Sequence, residues 1–342
     1  MYRKIMGFLE AWKENEHRKP LILQGARQVG KTYSILEFGR IHYENVAYFN
    51  FETNPKLNET FEEKISPDYL IPILSHIAGQ TIVKEKTLIV FDEVQLCERA
   101  LTSLKYFCED APDYHIIVAG SLLGVAVNRA KFSFPVGTVD MKTLYPMDME
   151  EFMIAVREDE LVEQIKKCFE TNRPMPSALH DVAMQLYRQY LVVGGMPECV
   201  MQFVQTGDYI LIRHTQDTIL TSYLNDMGKY NNLNEIKKTR LAYDNITVQL
   251  SKKNTRFQYK LIKKGGRASE FENAIEWLCL SGIASQVYRV EQIKKPLENY
   301  RDIDAFKIYV SDLGLLCAKK DLAANDILYM VEDCLLYTSP SP

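Results

Sequence analysis

One run of eight residues constrains this chain more than any other feature. Gly25-Ala26-Arg27-Gln28-Val29-Gly30-Lys31-Thr32 satisfies G-x-x-x-x-G-K-[ST] at every fixed position. Gly25 and Gly30 can take backbone conformations closed to residues with a Cβ, so that successive N–H groups turn toward phosphate oxygens. A helix opening behind the loop would add the positive end of its dipole. Lys31 would reach the β- and γ-phosphates, and the Thr32 hydroxyl would ligate Mg²⁺. Such a loop belongs between a buried strand and a helix. The flanking sequence supplies both, with an apolar run at 20–24 and a helical pattern at 32–38. Further strands are predicted at 46–51, 87–91, 115–119 and 136–144, with helices at 69–77 and 100–109. Strands alternating with helices give the α/β fold class, a three-layer domain with a parallel P-loop sheet and about 150 residues.

The run Leu88-Ile89-Val90-Phe91-Asp92-Glu93 supplies a second half to the site. Four apolar residues bury a strand, and the first carboxylate past its end lands in the crevice at the sheet's carboxyl edge. Asp92 there can hold Mg²⁺, and Glu93 follows at once, placed to orient or deprotonate an attacking water. Glu52 also closes a strand-like run and is the second candidate base, lacking the adjacent metal aspartate. Ser121 follows the 115–119 strand, where it could sense the γ-phosphate or cap a helix, and the two roles are compatible. No N-K-x-D element appears, which excludes a guanine-reading GTPase. A small-molecule kinase needs little beyond its core and lid, whereas here a long helical region follows.

That region begins near Met147. Helical patterns occupy 149–156, 179–192 and 210–227, punctuated by Gly194, Gly195 and Pro197. Between 231 and 332 the order is helix, helix, then β-like runs at 283–290 and 306–310 around a charged, proline-bearing connection at 291–304, the order of a winged-helix module. The expected domains are thus a P-loop core at 1–156, a helical lid at 157–230, a winged helix at 231–332 and an unpacked tail at 333–342. Residues 251–267 hold seven basic residues and no acid: Lys252, Lys253, Arg256, Lys260, Lys263, Lys264 and Arg267, with Phe257 and Tyr259 between them. The stretch could lie along a nucleic-acid backbone, or be a solvated helix face or a protein-contact surface. The formal net charge of −4 excludes a chain that coats nucleic acid through overall charge. No membrane span and no signal-peptide core is read, and the seven scattered cysteines include no C-x-x-C pair, so the expected location is the cytoplasm. The six histidines show no metal spacing.

Taken together these blocks resemble the prokaryotic AAA+-like ATPases that join a P-loop domain to a helical lid, a winged helix and a C-terminal restriction-endonuclease-like domain. The likeness rests on RKPLIL running into GARQVGKT, FDEVQ at 91–95, GS at 120–121, FPVG at 134–137 and YPMDMEEF at 145–152. It extends through GGMPE at 194–198, FQYKLIKKGGRA at 257–268, EWL at 276–278 and FKIYVSDLGLL at 306–316. The resemblance implies ATP binding, Mg²⁺-dependent hydrolysis and the sheet order 5-1-4-3-2. Two departures stand out. Where relatives carry Arg or Lys after Gly137 this chain has Thr138, so Arg129, Lys131 or Lys142 of a neighbouring copy in a homo-oligomer would have to supply a stabilising cation. The nuclease-like domain should begin near 335, yet 335–342 reads LLYTSPSP, so a fragment or misread end is expected and no nuclease activity is assigned. The leading reading is an ATPase whose cycle moves lid and winged helix. The competing reading is a nucleotide-gated DNA- or protein-binding module with little turnover.

Overall fold

The structure, a computed structural model, describes residues 1–121, 137–229, 233–252 and 256–329. They fall into two compact units, Tyr2–Tyr145 and a second made of Met1 and the residues from Pro146 onward.

The first unit is built on a parallel sheet of five strands: β1 (Leu21–Gln24), β2 (Asn45–Asn50), β3 (Thr87–Asp92), β4 (His115–Gly120) and β5 (Asp140–Thr143). Their order is β2-β3-β4-β1-β5, the 5-1-4-3-2 arrangement expected from the sequence. Every residue of β3 and β4 is buried, which is why both read as unbroken apolar runs rather than alternating ones. The last strand is shorter than predicted, and residue 136 lies outside the described set. Around the sheet run α1 (Ile5–Glu14), α2 (Lys31–His42), α3 (Leu57–Glu63), α4 (Pro67–Ala78) and α5 (Glu98–Asp110).

Strand periodicity sends neighbouring side chains to opposite faces, and each face has its own cover. Ala47, Phe49, Ile89, Phe91, Ile116 and Val118 pack with Leu57 and Phe61 of α3, Leu70 and Leu74 of α4, and Leu104 and Phe107 of α5. On the other face α2 approaches so closely that a Cβ on Gly39 would sit 2.6 Å from the Val46 side chain. Within the first face Phe51, Phe61 and Phe91 meet at ring centroid distances of 5.7–5.8 Å. Phe51 and Phe61 each meet Phe91 edge to face, a contact that fixes ring orientation beyond plain burial. They therefore anchor the end of β3, where the two acidic residues emerge.

The second unit starts with α6 (Met149–Ala155), read from sequence as the end of the P-loop domain but belonging by its contacts here. A capping box opens it: the Glu151 amide donates to Asp148 Oδ1 at 2.9 Å, and the Asp148 amide donates to Glu151 Oε2 at 3.3 Å. Then follow α7 (Asp159–Glu170), α8 (Ser177–Val193), α9 (Pro197–Thr206) and α10 (Tyr209–Lys229), of which α7 and α9 were not predicted. Next come α11 (Leu233–Leu250), α12 (Ala268–Leu280) and an antiparallel hairpin of β6 (Ala284–Val290) and β7 (Arg301–Val310). The second strand starts five residues before the predicted 306. Its first four residues are mostly exposed and hold one apolar side chain, Ile303, so they carry no strand pattern, yet Arg301 and Asp302 pair with Val290 and Arg289 across a bulge.

Two short helices close the described chain, α13 (Leu313–Lys319) and α14 (Ala324–Leu328). Sequence grouped them with the hairpin. Instead Cys317 and Ile327 pack on Leu191 and Val192 of α8, and the Arg213 guanidinium donates to the carbonyls of Ala318 and Leu322. The contacts draw no boundary at 230/231.

At the centre of the unit, buried Asp312 accepts the Gly195 amide at 2.6 Å and the Leu315 amide at 2.8 Å. Burial raises its carboxyl to about 6, against three backbone N–H groups that pull it down. A Cβ on Gly195 would stand 1.9 Å from the Met147 carbonyl oxygen, so only glycine permits the hydrogen bond between the Met147 amide and the Gly195 carbonyl at 2.7 Å. The GGMP turn singled out in the sequence is therefore a packing requirement.

Candidate functional site

The phosphate-loop residues join β1 to α2, the context the motif requires. Three of its residues have positive φ: Gly25 at 147°, Gln28 at 65° and Gly30 at 89°. A Cβ on Gly25 would fall 2.2 Å from the Leu144 carbonyl oxygen, which makes glycine obligatory there for space as well as conformation. Gly30 is left-handed and caps α2, so Lys31 and Thr32 stand in the first helical turn with their amides free of intrahelical partners.

Lys31 is buried, 7% exposed, and its ammonium donates to the Gly25 carbonyl at 2.8 Å and the Ala26 carbonyl at 2.7 Å. Burial lowers its pKa to about 8. Glu93 and Asp92 pull it upward, and Arg27 pushes it down a little more. A buried cation with a depressed pKa beside a helix N-terminus is well suited to an anion, which would restore the charged form.

Asp92, 4% exposed, ends β3. Its Oδ2 accepts the Thr32 hydroxyl at 2.8 Å and the Tyr48 hydroxyl at 2.7 Å, and its Oδ1 accepts the Glu93 amide at 3.0 Å. A hydroxyl and a carboxylate from two elements at this distance are hard oxygen donors of the kind that bind Mg²⁺ together with phosphates and water. Among the described residues no cluster of three or more His, Cys, Asp or Glu could cage a metal. The donor set thus fits an ion brought in with a phosphate ligand.

Glu93 takes a left-handed conformation, φ 51° and ψ 39°, at the point where β3 turns into a short 3₁₀ helix, Val94–Leu96. A non-glycine residue there stores backbone strain, a feature that gathers at functional sites. Its Oε2 receives the Gln95 side-chain amide and, at 3.4 Å, the Ser121 hydroxyl. Ser121 is thus brought to Glu93. Its helix-capping role falls on residues after 121, outside the described residues. Glu52 stands exposed in the turn after β2.

Tyr48 and Gln95 were not found from sequence. Tyr48 is 44 positions from Asp92 and reaches it because β2 and β3 pair in register, Asn50 beside Asp92. Burial raises the Tyr48 phenol to about 12, so it stays a donor. Gln95 lies within the FDEVQ block, and its spacing from Glu93 was the one available signal.

Elsewhere the picture is mixed. Lys142 lies over the Phe8 ring, 4.7 Å from its centroid. Arg129 and Lys131 are outside the described residues, as are Lys253 and the tail 333–342. The described residues of the basic stretch form no α-helix face but belong to the connection between α11 and α12. Its aromatics face inward, Phe257 stacking on Phe306 at 5.7 Å, and Lys263 pairs with Glu270 at 3.1 Å. Lys252, Arg256, Lys260, Lys264 and Arg267 are exposed. Lys252 and Arg256 share a small notch with Lys307 of β7, a cation the sequence reading passed over. No described helix is long and apolar enough to cross a membrane.

Two family matches divide the chain. Residues 17–153 match the AAA domain, and residues 184–326 match DUF8612, a domain of unknown function. No curated protein matches in sequence. Among solved structures, the Walker-type ATPase paby2304 of Pyrococcus abyssi superposes with a TM-score of 0.57 at 14% identity, covering 93% of this chain and 95% of that one. The ORC2 protein of Aeropyrum pernix gives 0.44 at 11% identity over 96% and 94%, and RuvB of Thermotoga maritima gives 0.37 at 15% over 82% and 87%. Only the first superposes well enough to establish a common fold. Over residues 17–153 the chain is similar to the AAA domain, and its sheet, loop and acidic strand end make an AAA+-like P-loop fold.

Proposed function

We propose that the chain binds ATP and hydrolyses it to ADP and phosphate with Mg²⁺. The observation that carries this reading is the meeting of Thr32 and Asp92 at 2.8 Å, beside buried Lys31 and next to Glu93. Gly25 through Thr32 hold the phosphates, the loop amides and Lys31 supplying donors to oxygens that carry negative charge. Thr32 and Asp92 hold the metal. Mg²⁺, when bound, neutralises charge on the β- and γ-phosphate oxygens. Glu93 orients the attacking water and accepts its proton, while Ser121 and Gln95 keep its carboxylate in place. Tyr48 keeps the Asp92 carboxylate in place in the same manner. Lys31→Ala tests the nucleotide reading: equilibrium titration should show ATP binding by the parent and its loss in the variant. Equal binding by both would remove the loop from the account. Residues 157–230 would serve as the lid and 231–332 as a winged helix, the two moving together as one unit during the cycle.

A second reading concerns the partner. The notch that gathers Lys252, Arg256 and Lys307 favours an anionic backbone, and we propose nucleic acid as its occupant. Reversing these three charges should abolish DNA binding, and parent binding should fall steeply across a salt series. A flat salt response would leave an acidic protein surface as the occupant.

A further inference from the structure

The N-terminal segment before α1 places a buried arginine behind the phosphate loop. Arg3 is 5% exposed, and its guanidinium fork divides. Nη1 donates to the Val29 carbonyl at 2.9 Å, and Nη2 donates to the Tyr145 carbonyl at 2.8 Å. Val29 is the last residue of the loop before Gly30-Lys31-Thr32, and Tyr145 is the last residue of the first compact unit.

Peptide geometry turns this contact into a statement about the loop. The only cis bond among the described residues is Lys295–Pro296, so the Val29–Gly30 peptide is trans. In a trans peptide the C=O and N–H point in opposite directions across one plane. A donor that holds the Val29 carbonyl from behind therefore aims the Gly30 N–H the other way. A positive charge on that carbonyl also polarises the peptide and strengthens its N–H as a donor. The entrance of the loop is fastened to the same place. The Leu144 amide donates to the Gln24 carbonyl at 2.8 Å, the Gln24 side-chain amide donates to Thr143 Oγ1 at 3.1 Å, and Gly25 lies against the Leu144 carbonyl. Residues 143–145 thus back both ends of the loop, and Arg3 supplies the fastening at its exit.

We infer that Arg3 is a positioning residue of the phosphate loop, fixing the Gly30 amide for the phosphate and tying the loop to the Tyr145 exit. This rests on the ATP reading above. A lysine cannot replace it, because one ammonium lacks the planar fork that serves two carbonyls at fixed angles. The Gly30 amide would contact phosphate in the bound complex and in the transition state alike, so its loss weakens binding more than turnover.

The test uses the full chain with Arg3→Met, Arg3→Lys and Lys31→Ala, titrated with a fluorescent ADP analogue at equal concentrations of folded protein. Steady-state KM and kcat for ATP accompany the titrations. Both Arg3 variants are expected to bind about tenfold more weakly, the scale of one charge-assisted hydrogen bond, with KM raised and kcat nearly kept. Where Arg3→Met lowers the folded fraction, Arg3→Lys carries the comparison. A merely structural arginine would lower the melting temperature and the apparent kcat and leave both Kd and KM unchanged, and that result overturns the inference. Should the parent itself fail to bind the analogue, the ATP reading falls first. Parent binding lost in Lys31→Ala but kept in both Arg3 variants sinks the Arg3 inference alone.

Discussion

Lys31 couples affinity to pH in a way that can be worked out in advance. Burial holds its pKa at about 8, against 10.5 when unperturbed. Phosphate binding requires the ammonium, and a bound phosphate raises its pKa again. The protonated fraction of the free site falls from roughly three quarters at pH 7.5 to roughly 3% at pH 9.5, so the Kd for ADP should rise by roughly 25-fold across that window. Phosphate groups complete their own ionisation near pH ~6, well below it. Stability moves the opposite way. A lysine whose folded pKa lies below its unfolded value destabilises the fold fully at neutral pH, and the penalty fades as pH rises from 8 to 10.5. The penalty amounts to about 3 kcal/mol. Lys31→Met should therefore lose nucleotide binding, lose the pH dependence, and melt at or above the parent temperature at pH 7. The assays are fluorescence titration and thermal melting over pH 6.5–9.5, an interval of roughly one unit or more about the pKa. A parent Kd flat across the window, or Lys31→Met melting well below the parent, would refute the reasoning.

Asp312 gives a pH signature in the second unit. Its folded pKa of about 6 exceeds the unfolded 3.8, so its contribution is full below 3.8 and lost as pH rises through 6. The loss is about 3 kcal/mol; urea melts of Asp312→Asn should lack this slope, and an identical slope would show that the carboxyl does not titrate there. Tyr48→Phe removes a donor from Asp92 and should raise the Mg²⁺ concentration for half-maximal activity by about 10-fold or more. An unchanged Mg²⁺ requirement would leave Tyr48 a packing residue.

How much of this was legible in the sequence depended on whether the signal was local. Strands β3 and β4 were readable because burial on both faces leaves unbroken apolar runs such as Leu88–Phe91. The loop was readable because its glycine and lysine spacing is a contiguous pattern. Helix α7 was missed because it buries only Leu161 and Val162 of twelve residues, a narrow stripe among charges. The start of β7 was missed because a two-stranded hairpin leaves Arg301, Ile303 and Asp304 facing solvent. Asp92 and Glu93 were found, but what holds them was not. Tyr48 comes from another strand; Ser121 was named from sequence, but as a phosphate sensor or helix cap and not as the partner of Glu93, whose left-handed backbone is invisible to residue type. The aromatics of the basic stretch looked available from their spacing, yet Phe257 is 7% exposed against Phe306. Positions settled by contacts across many residues lie beyond any local pattern.

The central claim is that this chain turns over ATP with Glu93 handling the water. The most direct measurement is phosphate release from ATP with and without Mg²⁺, by the parent and by Glu93→Gln, alongside retention of intact ATP on the protein. The account predicts Mg²⁺-dependent release by the parent, ATP still bound to Glu93→Gln, and release slowed by ~10²–10⁴-fold. Release by Glu93→Gln at the parental rate would contradict it.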